Sequence, residues 1–225
     1  MLLHIPQILT PEEVAEFRRR LEEGDWTDGR ETVGAQGAEV KRNEQLRDTS
    51  PLKAELGDAV LRALRRSPLF FAAALPRRIL PPRFNRYAGG GEYGFHVDGA
   101  VMSLGPDEQM RSDISCTLFL NDPEEYDGGR LVVSDTYGEH VIAERAGDAV
   151  IYPSSSLHRV EPVTRGVRLA SFFWVQSLVR DDATRRILFE LDTSIQKLTV
   201  DGADRDAVLQ LTSVYHNLLR RWSEC

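Results

Sequence analysis

Apolar residues recur at two different periods along this chain, and the changes of period divide it into three parts. Val14, Phe17 and Leu21 stand at helical spacing. Thr10-Pro11-Glu12-Glu13 precedes them as a capping box: the Thr10 hydroxyl can accept from the Glu13 N–H while the Glu13 carboxylate reaches back. Pro11 takes the first helical position, where its missing N–H is no loss. Leu9 and Val14 are placed to form a hydrophobic staple across the box, and Gly24 stops the helix. Residues 24–48 are charged and Gly-rich without a sustained period, which predicts a long loop holding at most a short strand. Ser50-Pro51 opens a second helix with Leu52, Leu56, Val60 and Leu64 inward, ending near Ser67-Pro68.

From about residue 79 the pattern becomes that of strands. Ile79–Tyr87, Asp113–Leu120, Arg130–Ser134, His140–Ala143, Ala149–Tyr152 and Val167–Gln176 are short and rich in β-formers. Turns are supplied by Asn121-Asp122-Pro123, Asp127-Gly128-Gly129 and Arg145-Ala146-Gly147-Asp148. About seven or eight strands at this spacing predict a jelly-roll sandwich. With no helical run between them, a parallel βαβ sheet is disfavoured. After Arg180 the helical period returns: Asp181-Asp182 open a segment with Ile187, Leu188, Leu191, Ile195 and Leu198 on one stripe. Gly202 breaks it and Ala207–Trp222 forms another amphipathic run. The expected fold is mainly β with flanking helices, with residues 1–178 as the main domain and 179–225 as a C-terminal helical hairpin. That hairpin would cover a sheet or contact a second copy of the chain.

Composition narrows the partners. At 225 residues, 41% hydrophobic and 28% charged, the chain suits a soluble globular domain with one substantial core. A formal charge of −7 argues against nucleic acid, since phosphate binding wants a basic surface. Arg18-Arg19-Arg20 and Arg65-Arg66 lie beside Glu residues on predicted helices and read as solvated faces. The two cysteines, Cys116 and Cys225, make no disulfide framework, so a reducing compartment is expected. Met1-Leu2-Leu3-His4-Ile5-Pro6 lacks the features of a signal peptide, and no stretch reaches the ~18 apolar residues of a membrane helix. A cytoplasmic location is the simplest expectation.

The chemistry concentrates at His96-Val97-Asp98. Residues i and i+2 of a strand share a face, so H-x-D on a strand aims an imidazole and a carboxylate into one space. A second His from a distant strand would complete two His and one carboxylate on one side of an ion. The opposite side stays open, as in non-haem Fe(II) oxygenases. An isolated H-x-D is weak. Here it follows an apolar-alternating segment and the Gly-rich Ala88-Gly89-Gly90-Gly91, and His158 and Arg168 come later on strand-like segments.

In this order, Arg86-Tyr87-Ala88-Gly89-Gly90-Gly91-Glu92-Tyr93-Gly94-Phe95-His96-Val97-Asp98, Thr117-Leu118-Phe119-Leu120-Asn121, Gly128-Gly129-Arg130-Leu131, Gly147-Asp148-Ala149-Val150-Ile151-Tyr152-Pro153 and His158 through Arg168 resemble the prolyl-4-hydroxylase-like Fe(II)/2-oxoglutarate dioxygenases. The nearest resemblance is to their PKHD-type, PiuC-like branch, and it covers nearly the whole chain. It implies a double-stranded β-helix core with Fe(II), 2-oxoglutarate and O₂, and often ascorbate as reductant. By position, His96, Asp98 and His158 match the iron ligands. His140 is the competing third ligand, but His158 follows the Gly-Asp…Tyr-Pro strand and precedes Arg168 as the family's second His does. Arg168 matches the residue that grips the distal carboxylate of 2-oxoglutarate, a task suited to a planar fork.

The same resemblance makes Tyr87 a cosubstrate-binding hydroxyl and Thr117 a second one. Phe119, on Thr117's face, has no hydroxyl to offer, and Tyr93 would shape the pocket wall. In many relatives a Ser follows the Arg at i+2; here Ala170 takes that place and Ser171 points to the other face. The second partner of the distal carboxylate is therefore open. Segments 24–48 and 99–111, the latter with Gly99 and Gly105-Pro106, are candidate lids, with plain surface loops as the equal alternative. The implied reaction hydroxylates a substrate C–H, on a protein side chain such as prolyl or a small molecule such as a siderophore component, and releases succinate and CO₂. Two other readings use the same residues: a jelly-roll metal-binding or sensory module without turnover, and a cupin-type oxygenase without 2-oxoglutarate, which would want more His than this chain has.

Overall fold

The computed structural model describes residues 1–105 and 107–224; Pro106, in one candidate lid, and Cys225 lie outside the described residues. Strand propensity and turn chemistry after residue 75, with short strands from earlier in the chain added at the edges, give an antiparallel sheet of eight strands and another of five. Most of the larger sheet runs, in spatial order, Leu3–Ile5, Ala149–Pro153, Ile114–Phe119, Val167–Ser177, Arg83–Ala88, Glu44–Leu46 and Trp26–Asp28. Pro76–Ile79 also pairs with Val167–Ser177. The smaller sheet runs Gly138–Ile142, Leu131–Asp135, Leu157–Val160, Glu92–His96 and Lys41–Arg42. This is the jelly-roll core with flanking helices that the strand spacing predicts.

Alternation along Ile114–Phe119 explains how the layers stack. Ile114, Cys116 and Leu118 point into a core with the N-terminal helices, while Phe119 joins a second apolar cluster that also contains Tyr87, Leu131 and Tyr152. All six residues are buried because both faces of the strand are covered. The first core takes Val14, Phe17 and Leu21 from helix Pro11–Glu22, and Leu56, Val60 and Leu64 from helix Pro51–Arg65. The Thr10 capping box forms on both sides, and Leu9 and Val14 are buried in the same cluster.

Two expectations are corrected and two are filled in. Residues 24–48 are not one long loop: they hold three short strands, Trp26–Asp28, Lys41–Arg42 and Glu44–Leu46, a 3₁₀ turn and the short helix Ala35–Glu39. Strands of two or three residues are too short to show a period; pairing to longer neighbours defines Lys41–Arg42 and Glu44–Leu46, and Trp26–Asp28 adds onto the latter. The second helix ends at Arg65, next to Ser67-Pro68 as expected, and Ser67-Pro68 also starts another, Pro68–Ala74, in which Ser67 Oγ accepts from the Phe70 N–H at 3.2 Å. Within 99–111, Val101–Gly105 and Glu108–Arg111 pair as a hairpin. Finally, the strand carrying His96 ends at His96, so Asp98 lies beyond it and does not share its face by strand alternation.

The C-terminal helices, Asp182–Val200 and Arg205–Trp222, begin at Asp181 and Asp204, whose carboxylates accept N–H bonds from Thr184 and Ala207. Leu188 is fully buried against Leu75 and Val179, with Tyr215, Leu218 and Trp222 packed around them. The buried Arg185 donates to the Val179 carbonyl at 2.8 Å and to Asp182 at 2.7 Å. Among the described residues, no helix is long and apolar enough to cross a membrane.

Candidate metal and cosubstrate site

His96 and His158 face each other across neighbouring strands of the smaller sheet, with ring centroids 4.2 Å apart. Each ring is oriented by its own backbone turn. His96 Nδ1 lies 2.8 Å from the Gly94 carbonyl, and His158 Nδ1 lies 3.0 Å from the Ser156 carbonyl. A carbonyl only accepts, so Nδ1 carries the proton in both rings and Nε2 is left with its lone pair. Burial, and then the neighbouring His158, push His96 down to about 4, which keeps it in the neutral form that binds metal.

Asp98 completes the group: its Oδ2 lies 3.7 Å from His158 Nε2, and one donor atom from each of the three residues falls within 4.8 Å of the others. Leaving the strand at His96 lets the chain turn Asp98 toward Ser115, whose hydroxyl donates to Asp98 Oδ2 and lies 2.9 Å from the Ser154 hydroxyl. Two imidazole nitrogens and a hard carboxylate on one side suit a divalent iron and leave its other side open. Aromatic rings fix the walls. Tyr93 stacks on His96 at 3.5 Å, and Tyr152 meets His158 edge-on at 5.1 Å. Burial pushes the Tyr152 phenol well above its ordinary range, so it keeps its proton.

Arg168 lines the same cavity, of about 780 Å³. It is 1% exposed, and its Nε and Nη2 have no hydrogen-bond partner. The guanidinium lies over the rings of Tyr87 and Phe119 at 5.4 and 5.3 Å. Room for it comes from Gly129, at φ 61°, where an added Cβ would sit 3.1 Å from Arg168 Cδ and 2.8 Å from Val163. Orphaned buried guanidinium donors are costly, and a carboxylate is the group that would satisfy them. The donor set therefore fits a dicarboxylate such as 2-oxoglutarate. Thr117 also lines the cavity. Ala170 shares the Arg168 face, while Ser171 turns into the opposite core with its hydroxyl unpaired.

His140 stands apart, exposed on the edge strand Gly138–Ile142 and hydrogen-bonded to Asp135 at 2.8 Å. Sequence reasoning missed Ser115, although it shares Thr117's face by simple alternation. It also missed Lys41, Gln45 and Asn85, buried polar residues lining the cavity. Lys41 and Gln45 carried no signal, because they sit on strands too short to read.

Comparison with known proteins identifies the family. The family model of the 2OG-Fe(II) oxygenase superfamily matches residues 82–176, and that of the PKHD-type hydroxylase C-terminal domain matches 182–224. A PKHD-type hydroxylase of Stenotrophomonas maltophilia is 67% identical over 224 residues, covering 100% of both chains. Among solved structures, a Pseudomonas putida prolyl-4-hydroxylase superposes with a TM-score of 0.54 at 22% identity, covering 78% of this chain and 92% of that one. HygX of Streptomyces hygroscopicus, with nickel, 2-oxoglutarate and hygromycin B bound, gives 0.53 at 20%, covering 76% and 81%. These likenesses establish the jelly-roll fold, and the full-length relative establishes the family. The chain belongs to the PKHD-type hydroxylases, a family of Fe(II)- and 2-oxoglutarate-dependent dioxygenases.

Proposed function

We propose that this protein hydroxylates a substrate C–H bond, with Fe(II) held by His96, Asp98 and His158 and the distal carboxylate of 2-oxoglutarate held by Arg168. The observation that carries the reading is Arg168, buried with two unpaired donor nitrogens in the cavity of the His–Asp–His group. A bare metal-binding module has no use for such a residue. Bound there, iron supplies the activation of O₂ coupled to oxidative decarboxylation of the 2-oxo acid to succinate and CO₂.

The chain's own part is positioning. The Gly94 and Ser156 carbonyls hold both imidazoles in the ligating tautomer, and Ser115 fixes the carboxylate of Asp98. Arg168 orients the diacid by its far end, with the phenol of Tyr87 and the hydroxyl of Thr117 as further donors. Phe119 and Tyr152 keep the surroundings apolar. Ascorbate would serve as reductant. The prime substrate is a protein side chain such as prolyl, or a small molecule such as a siderophore component. In this reading residues 1–178 carry the chemistry in the cytoplasm, and hairpin 179–225 braces them and offers a surface for a second copy. The test is anaerobic loading with Fe(II), then O₂ and 2-oxoglutarate with no prime substrate, with succinate measured. Slow, iron-dependent succinate formation is expected; none at all would contradict the reading.

A further inference from the structure

The cavity is larger than a five-carbon diacid needs, and it has a second polar wall that the proposed machinery does not use. Lys41 lies on the short strand paired with Glu92–His96, directly opposite Tyr93. Its side chain is 3% exposed, with its ammonium 5.0 Å from the Tyr93 ring centre. Its single hydrogen-bond partner among the described residues is the Thr32 hydroxyl at 3.1 Å, and no carboxylate lies within ion-pair distance. On the larger sheet, Gln45 pairs with Asn85, and Arg83 follows two residues before Asn85 on the same face. Gln45 and Asn85 are buried, and the Asn85 amide oxygen and the indole N–H of Trp174, also cavity-lining, lack partners.

Charge balance says what this wall is for. This step rests on the functional reading above. With iron and 2-oxoglutarate in place, the charges of the ion and of Arg168 are cancelled by Asp98 and the diacid. Arg83, partly exposed to solvent, faces Asp48 at 3.4 Å, a carboxylate it shares with Lys53. Lys41 is then the buried charge left without a counter-ion, and a buried charge calls for one. Around the mouth, Phe95, Val97 and Leu157 are exposed apolar side chains, suited to a substrate with an apolar body. We infer that Lys41, with Gln45, Asn85 and Trp174, forms the prime-substrate subsite, and that the substrate is a carboxylic acid with an apolar body and a hydrogen-bond donor. The carboxylate pairs with Lys41, and an N–H or O–H of the substrate meets the Asn85 oxygen.

N-acetyl-phenylalanine has these three features, and N-acetyl-phenylalaninamide keeps its shape while a neutral carboxamide replaces the carboxylate. The experiment first titrates 2-oxoglutarate into the anaerobic Fe(II) protein, then titrates each probe into the saturated complex by calorimetry, for wild type, Lys41→Met and Lys41→Arg. Wild type should bind the acid roughly ten- to a hundred-fold more tightly than the amide, the scale of one charge-assisted hydrogen bond. Lys41→Met should lose that preference, Lys41→Arg should keep part of it, and 2-oxoglutarate affinity should be unchanged in both. No preference in wild type, a preference surviving in Lys41→Met, or weakened 2-oxoglutarate binding in both variants would overturn this assignment alone. If wild type fails the first titration, the functional reading falls and this inference with it.

Discussion

Single side chains in this cavity are held at a cost that only function explains. Burial, with Arg83 nearby, pushes the Lys41 ammonium down to about 8 from 10.5. Between those values the unfolded chain holds more protons than the folded one, so stability rises with pH there. The penalty for burying the charge is therefore full below about pH 8 and vanishes as pH passes 10.5. Lys41→Met should stabilise the protein at pH 7 by up to ~3 kcal/mol, at ~1.36 kcal/mol per unit, with the gain shrinking above pH 8. Chemical denaturation at pH 7 and pH 10 checks both the sign and the trend. Ser115 acts in the opposite sense, as support. Ser115→Ala should weaken Fe(II) retention about ten- to a hundred-fold while the fold persists, because Asp98 loses the donor that orients it. Competition against a chelator measures this.

Secondary-structure elements divide the work between the site and its bracing. The helix pair Asp182–Val200 and Arg205–Trp222 docks through Leu188 onto Leu75 and Val179, none of which lines the cavity. Leu188→Ala should cost about 2–5 kcal/mol of stability, read by urea denaturation, with 2-oxoglutarate affinity unchanged. What the sequence disclosed about elements follows from their length. The Thr10 capping box, the Leu52–Leu64 stripe and the strands from Asp113 onward are long enough for their periods to stand out. The jelly roll could be read from them, and the grouping of His96, Asp98 and His158 followed from motif order. Trp26–Asp28, Lys41–Arg42 and Glu44–Leu46 are too short to show a period; the last two exist because longer strands offer their edges, and Trp26–Asp28 pairs in turn with Glu44–Leu46. Lys41 was hidden for that reason. The route of Asp98 was misread for another: the pairing shifts register between His158 and Val160, and the strand ends at His96.

At the scale of the whole molecule, the two sheets bring residues more than seventy positions apart into one cavity. His96 ends one strand of the smaller sheet and Asp98 lies just beyond it, His158 comes from the neighbouring strand, and Arg168 from the larger sheet. The proposed function requires them to act together on one diacid. Titrating 2-oxoglutarate into the anaerobic Fe(II) protein tests this most directly, since the weak visible absorption of the chelate reports iron and diacid in one complex. Wild type should develop the band, and His96→Ala should not. Arg168→Met should retain iron but need about two to four orders of magnitude more 2-oxoglutarate, the loss expected when a buried ion pair worth ~3–5 kcal/mol is broken. Arg168→Lys should recover only part of it, for want of the planar fork. Equal affinity in wild type and Arg168→Met would contradict the account.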